Sequence, residues 1–63
     1  MPLAQISLME GRTEEQKRMV IEKVTQALCE AVGAPIENVR VQIIDVPNTN
    51  WGIGGKMAKD LGR

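Results

Sequence analysis

Residues 13–33 read TEEQKRMVIEKVTQALCEAVG, and the fold turns on this stretch. Its opening, Thr13-Glu14-Glu15-Gln16, has the spacing of a capping box: a hydroxyl that caps the first turn of a helix, and a glutamine three residues on that reaches back to it. Val20, Val24, Ala27, Leu28 and Ala31 fall within one stripe at roughly 100° per residue, with Ile21 and Val32 at its margin. Gly33 supplies the left-handed position that closes a helix. The stretch predicts one amphipathic helix over residues 14–32.

On both sides of it the apolar period changes to two. Residues 2–9, PLAQISLM, put Ala4, Ile6 and Leu8 on one side and Gln5 and Ser7 on the other, which predicts a strand. The turn Glu10-Gly11-Arg12 joins that strand to the helix. After Gly33-Ala34-Pro35 comes a short turn, and then Val39, Val41 and Ile43 alternate again, predicting a second strand over residues 39–46. Strand, long helix, strand makes a β-α-β unit with parallel strands and a right-handed crossover. One helix covers one face of such a sheet. The other face carries Gln5, Ser7, Arg40, Gln42, Ile44 and Val46; solvation accounts for its polar members, whereas Ile44 and Val46 call for a partner sheet or subunit. Residues 47–55, PNTNWGIGG, are dense in turn formers and predict a loop leading into a short hairpin. The expectation is a single α+β domain over residues 1–63, without repeats or linkers.

A domain of 63 residues buries only about 60% of the surface its unfolded chain exposes, so it is marginal alone. Disulfides, a structural metal or oligomerisation are the usual remedies. Cys29 is the single cysteine and histidine is absent, so neither a disulfide framework nor a zinc site is available within one chain. Oligomerisation is left. Eight basic and eight acidic residues cancel, and Trp51 is the single aromatic residue, so the basic stripe and stacking platforms of a nucleic-acid binder are missing. Apolar runs reach three or four residues, and no charged leader precedes an apolar stretch, which excludes a membrane span and a secretory signal. A cytoplasmic protein is expected.

Without histidine, every mechanism built on imidazole disappears. Cys29 lies opposite the apolar stripe and near the negative end of the helix, where a thiolate is disfavoured, so it reads as a helix residue. Glu14 and Glu15 in the first turn complement the helix dipole. The candidate base that remains is the amino terminus. A methionine followed by a small residue such as proline is removed by cellular aminopeptidase, which would leave Pro2 with a free secondary amine. An α-amine titrates at about 7.7–8.0 in model peptides, and desolvation or a nearby cation lowers this toward working pH.

Such a base needs donors to hold an anionic substrate and the charge that develops on it. Arg12 and Arg40 are the obvious ones, since guanidinium binds carboxylate bidentately and stays charged; Arg12 equally fits a surface turn, and Arg40 a solvated strand position. Trp51 fits a packing or interface residue, or a ring that excludes water from a catalytic amine. Gly52-Ile53-Gly54-Gly55-Lys56 fails as a phosphate loop, because Asn50 and Met57 occupy the places of its first glycine and its hydroxyl residue. These glycines read as turn residues.

Pro2, the segment Glu10-Gly11-Arg12-Thr13-x-x-Gln16-Lys17, the Val39-Arg40-Val41 strand and Trp51-Gly52-Ile53-Gly54-Gly55 together resemble the 4-oxalocrotonate tautomerase family, in order, in spacing and over the whole chain. The resemblance implies a tautomerase-like β-α-β subunit in a homohexamer built as a trimer of dimers, with active sites shared between subunits and no cofactor. It implies that Pro2 shuttles a proton on a dienol or unsaturated oxo-diacid, that Arg12 holds the distant carboxylate, and that Arg40 of a neighbouring subunit holds the carboxylate and oxygen beside the reacting enol. The implied reaction converts 2-hydroxymuconate to 2-oxo-3-hexenedioate in the breakdown of aromatic compounds. Trp51 stands where phenylalanine is more familiar, which would narrow the pocket. Ile53 and Met9 stand where the related haloacrylate dehalogenases place a carboxylate and an extra arginine, which argues against hydratase chemistry. Two alternatives stay open: a relative using Pro2 on another enol or a haloacid, and a non-catalytic oligomeric interaction module.

Overall fold

The computed structural model describes residues 2–63; Met1, whose removal the sequence leads one to expect, lies outside the described residues. The helix forms where the capping box places it. In α1, Glu14–Val32, the Thr13 hydroxyl accepts from the Gln16 backbone N–H at 3.1 Å, and the Gln16 side chain accepts from the Thr13 N–H at 2.9 Å. Glu14 and Glu15 occupy the first turn and both pair with Arg18 on the exposed face, where such pairs contribute little. Gly33 ends the helix with φ 69° and ψ 22°, donating its N–H to the Cys29 carbonyl at 3.0 Å.

Strands β1, Leu3–Met9, and β2, Arg40–Val46, pair in parallel, from Leu3 opposite Arg40 to Met9 opposite Val46. Each begins one residue later than the alternation predicts, for a hydrogen-bonding reason. Pro2 has no ladder N–H to donate and joins only through its carbonyl, which accepts from the Arg40 N–H at 3.0 Å. Val39 donates its N–H to the Ile36 carbonyl at 3.2 Å, closing a 3-10 turn over Ile36–Asn38, and so has none left for the sheet.

The register sorts the side chains. Ala4 and Val41, Ile6 and Ile43, and Leu8 and Asp45 share the face toward α1; Leu3 and Arg40, Gln5 and Gln42, Ser7 and Ile44, and Met9 and Val46 share the other. Val20, Val24 and Leu28 of the expected stripe are half-buried, but Ala27 and Ala31 are exposed. A two-stranded sheet is too narrow to cover a wide apolar stripe. Lys17, itself half-buried, reaches Asp45 at 2.5 Å and ties the start of α1 to the end of β2.

After a 3-10 turn at Asn48–Asn50, β3 (Gly52–Ile53) and β4 (Lys56–Met57) make the expected hairpin. Gly54 and Gly55 take φ of 59° and 85°, as a primed two-residue turn requires. A last 3-10 turn, Ala58–Leu61, follows.

What the protomer lacks is an interior. Among the described residues Val39 and Ala58 alone are buried, while Leu3, Val32 and Ile36 are each 59–67% exposed. The radius of gyration is 14.5 Å, against about 11 Å for a compact domain of this length. Its accessible surface is 4727 Å², against about 4,000 Å² for a compact monomer of this mass. Flat and elongated, 43 × 24 × 13 Å, it has the form of a component of an oligomer. Among the described residues no helix is long and apolar enough to cross a membrane.

Candidate active site

Parallel pairing puts the amino end of β1 beside the amino end of β2. Pro2, half-buried, therefore sits at the same end of the sheet as Arg40, joined by the bond from the Arg40 N–H to its carbonyl. The Arg40 side chain leaves the sheet on the face away from α1 and donates through Nη1 to the Glu37 carbonyl at 2.7 Å and the Val39 carbonyl at 3.4 Å. Glu37 lies in the 3-10 turn that leads into β2, and Val39 caps that turn. Neutral carbonyls orient the guanidinium without cancelling its charge, and most of its five donors stay available to an anion.

The other end of the sheet carries Arg12 and Trp51. Gly11 turns the chain at φ 107°, and Arg12 follows, exposed, immediately before the Thr13 cap. The ion pairs among the described residues use Lys17 and Arg18, and leave both Arg12 and Arg40 without a carboxylate partner. Trp51, half-buried, accepts at its carbonyl from the Ala58 N–H at 2.8 Å and lines an open groove of about 460 Å³ with Asn50, Gly52, Lys56 and Met57.

The four residues singled out in the sequence thus fall two toward each end of the sheet. Seven residues of strand separate them by about 20 Å. A six-carbon diacid is about as long as two extended residues, roughly 7 Å. No single protomer can hold such a molecule between Pro2 and Arg12: the structure joins Pro2 to Arg40 through a backbone hydrogen bond and leaves Arg12 and Trp51 on separate turns beyond the opposite end of the sheet. A second groove, about 550 Å³ and lined by Ile21, Thr25, Cys29, Ala34 and Ile36 among others, contains none of the four. Among the described residues, no three of the Asp, Glu and Cys side chains are grouped to hold a metal ion.

Two residues at the Arg12 end escaped the sequence reading. The Glu10 N–H donates to the Val46 carbonyl at 2.8 Å, and its carboxylate accepts from the Asn48 N–H at 3.3 Å. Asn48 in turn donates through Nδ2 to the Arg63 carbonyl at 3.0 Å. No local signal links positions 38 residues apart, and only the register of β1 on β2 predicts that their flanking turns meet.

A proline at the mouth of the first strand of a β-α-β protomer, with unneutralised arginines at both ends of the sheet, defines a tautomerase-type subunit. A model of the family described as tautomerase enzyme matches residues 2–61, and the chain belongs to that family. It is 70% identical over 63 residues, all of both chains, to a 2-hydroxymuconate tautomerase of Comamonas testosteroni. A 4-oxalocrotonate tautomerase isozyme of Methylibium petroleiphilum superposes with a TM-score of 0.96 at 77% identity, covering 98% of this chain and 100% of that one. A heterohexameric 4-oxalocrotonate tautomerase of Chloroflexus aurantiacus J-10-fl is 36% identical, with a TM-score of 0.93 over 97% of this chain and 98% of that one. The protein is accordingly an isomerase, a tautomerase that relocates a proton within its substrate. That relative is a heterohexamer, whereas the single protomer buries only Val39 and Ala58 among the described residues.

Proposed function

We propose that this tautomerase acts without a cofactor on an unsaturated 2-hydroxy or 2-oxo diacid, converting 2-hydroxymuconate to 2-oxo-3-hexenedioate, with the amine of Pro2 as general base and acid once Met1 is removed. The observation that carries the reading is the split site: a candidate base at one end of each protomer, and an arginine without a carboxylate partner on the turn beyond the other, about 20 Å away. The 70% identity to a 2-hydroxymuconate tautomerase supports the choice of substrate.

The chemistry is one proton removed and one returned. Pro2 nitrogen takes the proton of the 2-hydroxyl; the oxygen lone pair forms the C2 carbonyl, the C2–C3 double bond moves to C3–C4, and the C4–C5 pair accepts the proton at C5 from the protonated amine. Starting from the unconjugated oxo isomer, the same amine removes the proton from C3 and returns one to C5. Charge gathers on the C2 oxygen as the first proton leaves, and Arg40 stabilises it while binding the adjacent carboxylate. The family resemblance takes this arginine from a neighbouring subunit, and the protomer's own Arg40, joined to Pro2 by its backbone, has its Nη1 on the Glu37 and Val39 carbonyls. Arg12 holds the distant carboxylate, and Trp51 closes the site to water, which favours the neutral amine that a base must be. We assign the assembly as a homohexamer, a trimer of dimers, working in the cytoplasm.

The test is an ultraviolet assay of three substrates: 2-hydroxymuconate, phenylenolpyruvate and a haloacrylate. A kcat/KM for the diacid at least about 100-fold above either of the others is expected, since only the diacid engages both arginines. Faster turnover of the monoacid enol would assign the enzyme to another substrate, and no turnover of any would leave an interaction module.

A further inference from the structure

Arg12 and Trp51 arrive at their end of the sheet from different parts of the chain, on turns that carry no hydrophobic anchor of their own. Arg12 stands in the turn between β1 and the Thr13 cap, and Trp51 follows a single 3-10 turn. Their mutual placement has to come from the contacts between those two turns. We propose that Glu10 and Asn48 form a clasp that positions Arg12 and Trp51 relative to one another, and so sets affinity for the carboxylate distant from the reacting enol. The inference rests on the reading that Arg12 and Trp51 line the substrate site.

The clasp is continuous. On one side Glu10, two residues before Arg12, is held by its N–H on the Val46 carbonyl at 2.8 Å and by its carboxylate on the Asn48 N–H at 3.3 Å. That N–H opens the 3-10 turn Asn48–Asn50 and is one of the donors that a helical turn cannot satisfy internally. On the other side Asn48 Nδ2 donates to the Arg63 carbonyl at 3.0 Å, the Arg63 N–H donates to the Ala58 carbonyl at 3.0 Å, and the Ala58 N–H donates to the Trp51 carbonyl at 2.8 Å. Ala58 is fully buried, so the last link has no slack. Every step from the Arg12 turn to the Trp51 backbone is a hydrogen bond or a peptide bond.

Glu10 has a second effect. Glu10 and Glu14 each stand two residues from Arg12, and since Glu14 pairs with Arg18, Glu10 is the natural candidate to pair with Arg12. By spending its carboxylate on the Asn48 amide it leaves the Arg12 guanidinium for a substrate.

The experiment compares Glu10→Ala, Glu10→Gln, Asn48→Ala and Arg12→Ala, using 2-hydroxymuconate as the diacid and phenylenolpyruvate as an enol without the distant carboxylate. Trp51 is the single aromatic residue, so its emission spectrum reports its surroundings directly. Glu10→Ala is expected to raise KM for the diacid by about fivefold, the scale of one lost hydrogen bond, with kcat and the KM for phenylenolpyruvate unchanged and the Trp51 emission shifted. Glu10→Gln keeps an acceptor oxygen and should restore both readings. Asn48→Ala breaks the other arm, should shift Trp51 emission and diacid KM in the same sense, and decides the matter if Glu10→Ala does not assemble. Unchanged diacid KM and emission in the variants that assemble would overturn the clasp, as would an equal loss on both substrates, the mark of general destabilisation. If Arg12→Ala itself leaves diacid KM unaltered, the fault lies in the reading of Arg12, and the clasp falls with it.

Discussion

Mixing two defective variants should regenerate working sites. In Pro2→Leu a bulky second residue keeps Met1 attached, so the nitrogen of residue 2 is an amide with no useful basicity. In Arg12→Ala the base is intact and the distant-carboxylate clamp is missing; the loss of a charge-assisted pair costs on the order of 100-fold in kcat/KM. Because Pro2 and Arg12 stand about 20 Å apart along β1, and the substrate spans roughly 7 Å, each site must take its proline from one protomer and its Arg12 from another. After the variants are unfolded together at equal concentrations and refolded, association is random. A site has both residues when its proline donor is an Arg12→Ala chain and its arginine donor a Pro2→Leu chain, which happens in about one site in four. The mixture should therefore reach about a quarter of the wild-type rate at low substrate concentration, far above either parent. The ultraviolet assay measures this directly, with native mass spectrometry showing that mixed oligomers have formed. Mixed oligomers with no more activity than the mean of their parents would refute the argument that the two halves of a site come from different protomers.

Three smaller predictions concern single residues. Arg40→Ala should lower kcat on the order of 100-fold with a lesser change in KM, because the charge it stabilises is largest in the transition state; full kcat in steady-state kinetics would remove Arg40 from the site. Gly33→Ala meets no steric obstacle, since an added Cβ finds nothing within 4 Å, so its cost is the left-handed backbone alone, about 1 kcal/mol, read as a lower denaturation midpoint at fixed protomer concentration. Asp45→Asn breaks the pair with Lys17, whose side chains are 31% and 49% exposed, and should cost no more than about 1 kcal/mol, a difference that shrinks as salt is raised.

The elements with local signatures were legible in the sequence. The Thr13–Gln16 box and Gly33 mark both ends of α1 because capping is a short-range exchange of hydrogen bonds, complete within a turn. The strands show through alternation, off by one residue where Pro2 and Val39 direct their backbone groups elsewhere. The turns at Ile36–Asn38 and Asn48–Asn50 are legible as a short turn after Pro35 and a stretch dense in turn formers, but not their 3-10 form, because three residues are too few for any apolar period to show. Ala27 and Ala31 were assigned to the sheet-facing stripe since periodicity reports a helix face and not the width of what covers it. Pro2, Arg12, Arg40 and Trp51 could be picked out by residue type and by resemblance, yet their division between two ends of the sheet emerges only once parallel pairing sets Leu3 opposite Arg40. The Glu10 to Asn48 bond depends on that same register and has no trace in either segment alone.

The central claim is that the Pro2 amine is the base, and the most direct measurement is the intact mass of the purified protein taken together with its rate on 2-hydroxymuconate. A preparation whose mass corresponds to a chain beginning at Pro2 should turn the substrate over, and one that retains Met1 should be inactive until an aminopeptidase removes it. Equal rates with and without Met1 would contradict the account, because an amide nitrogen cannot carry the proton.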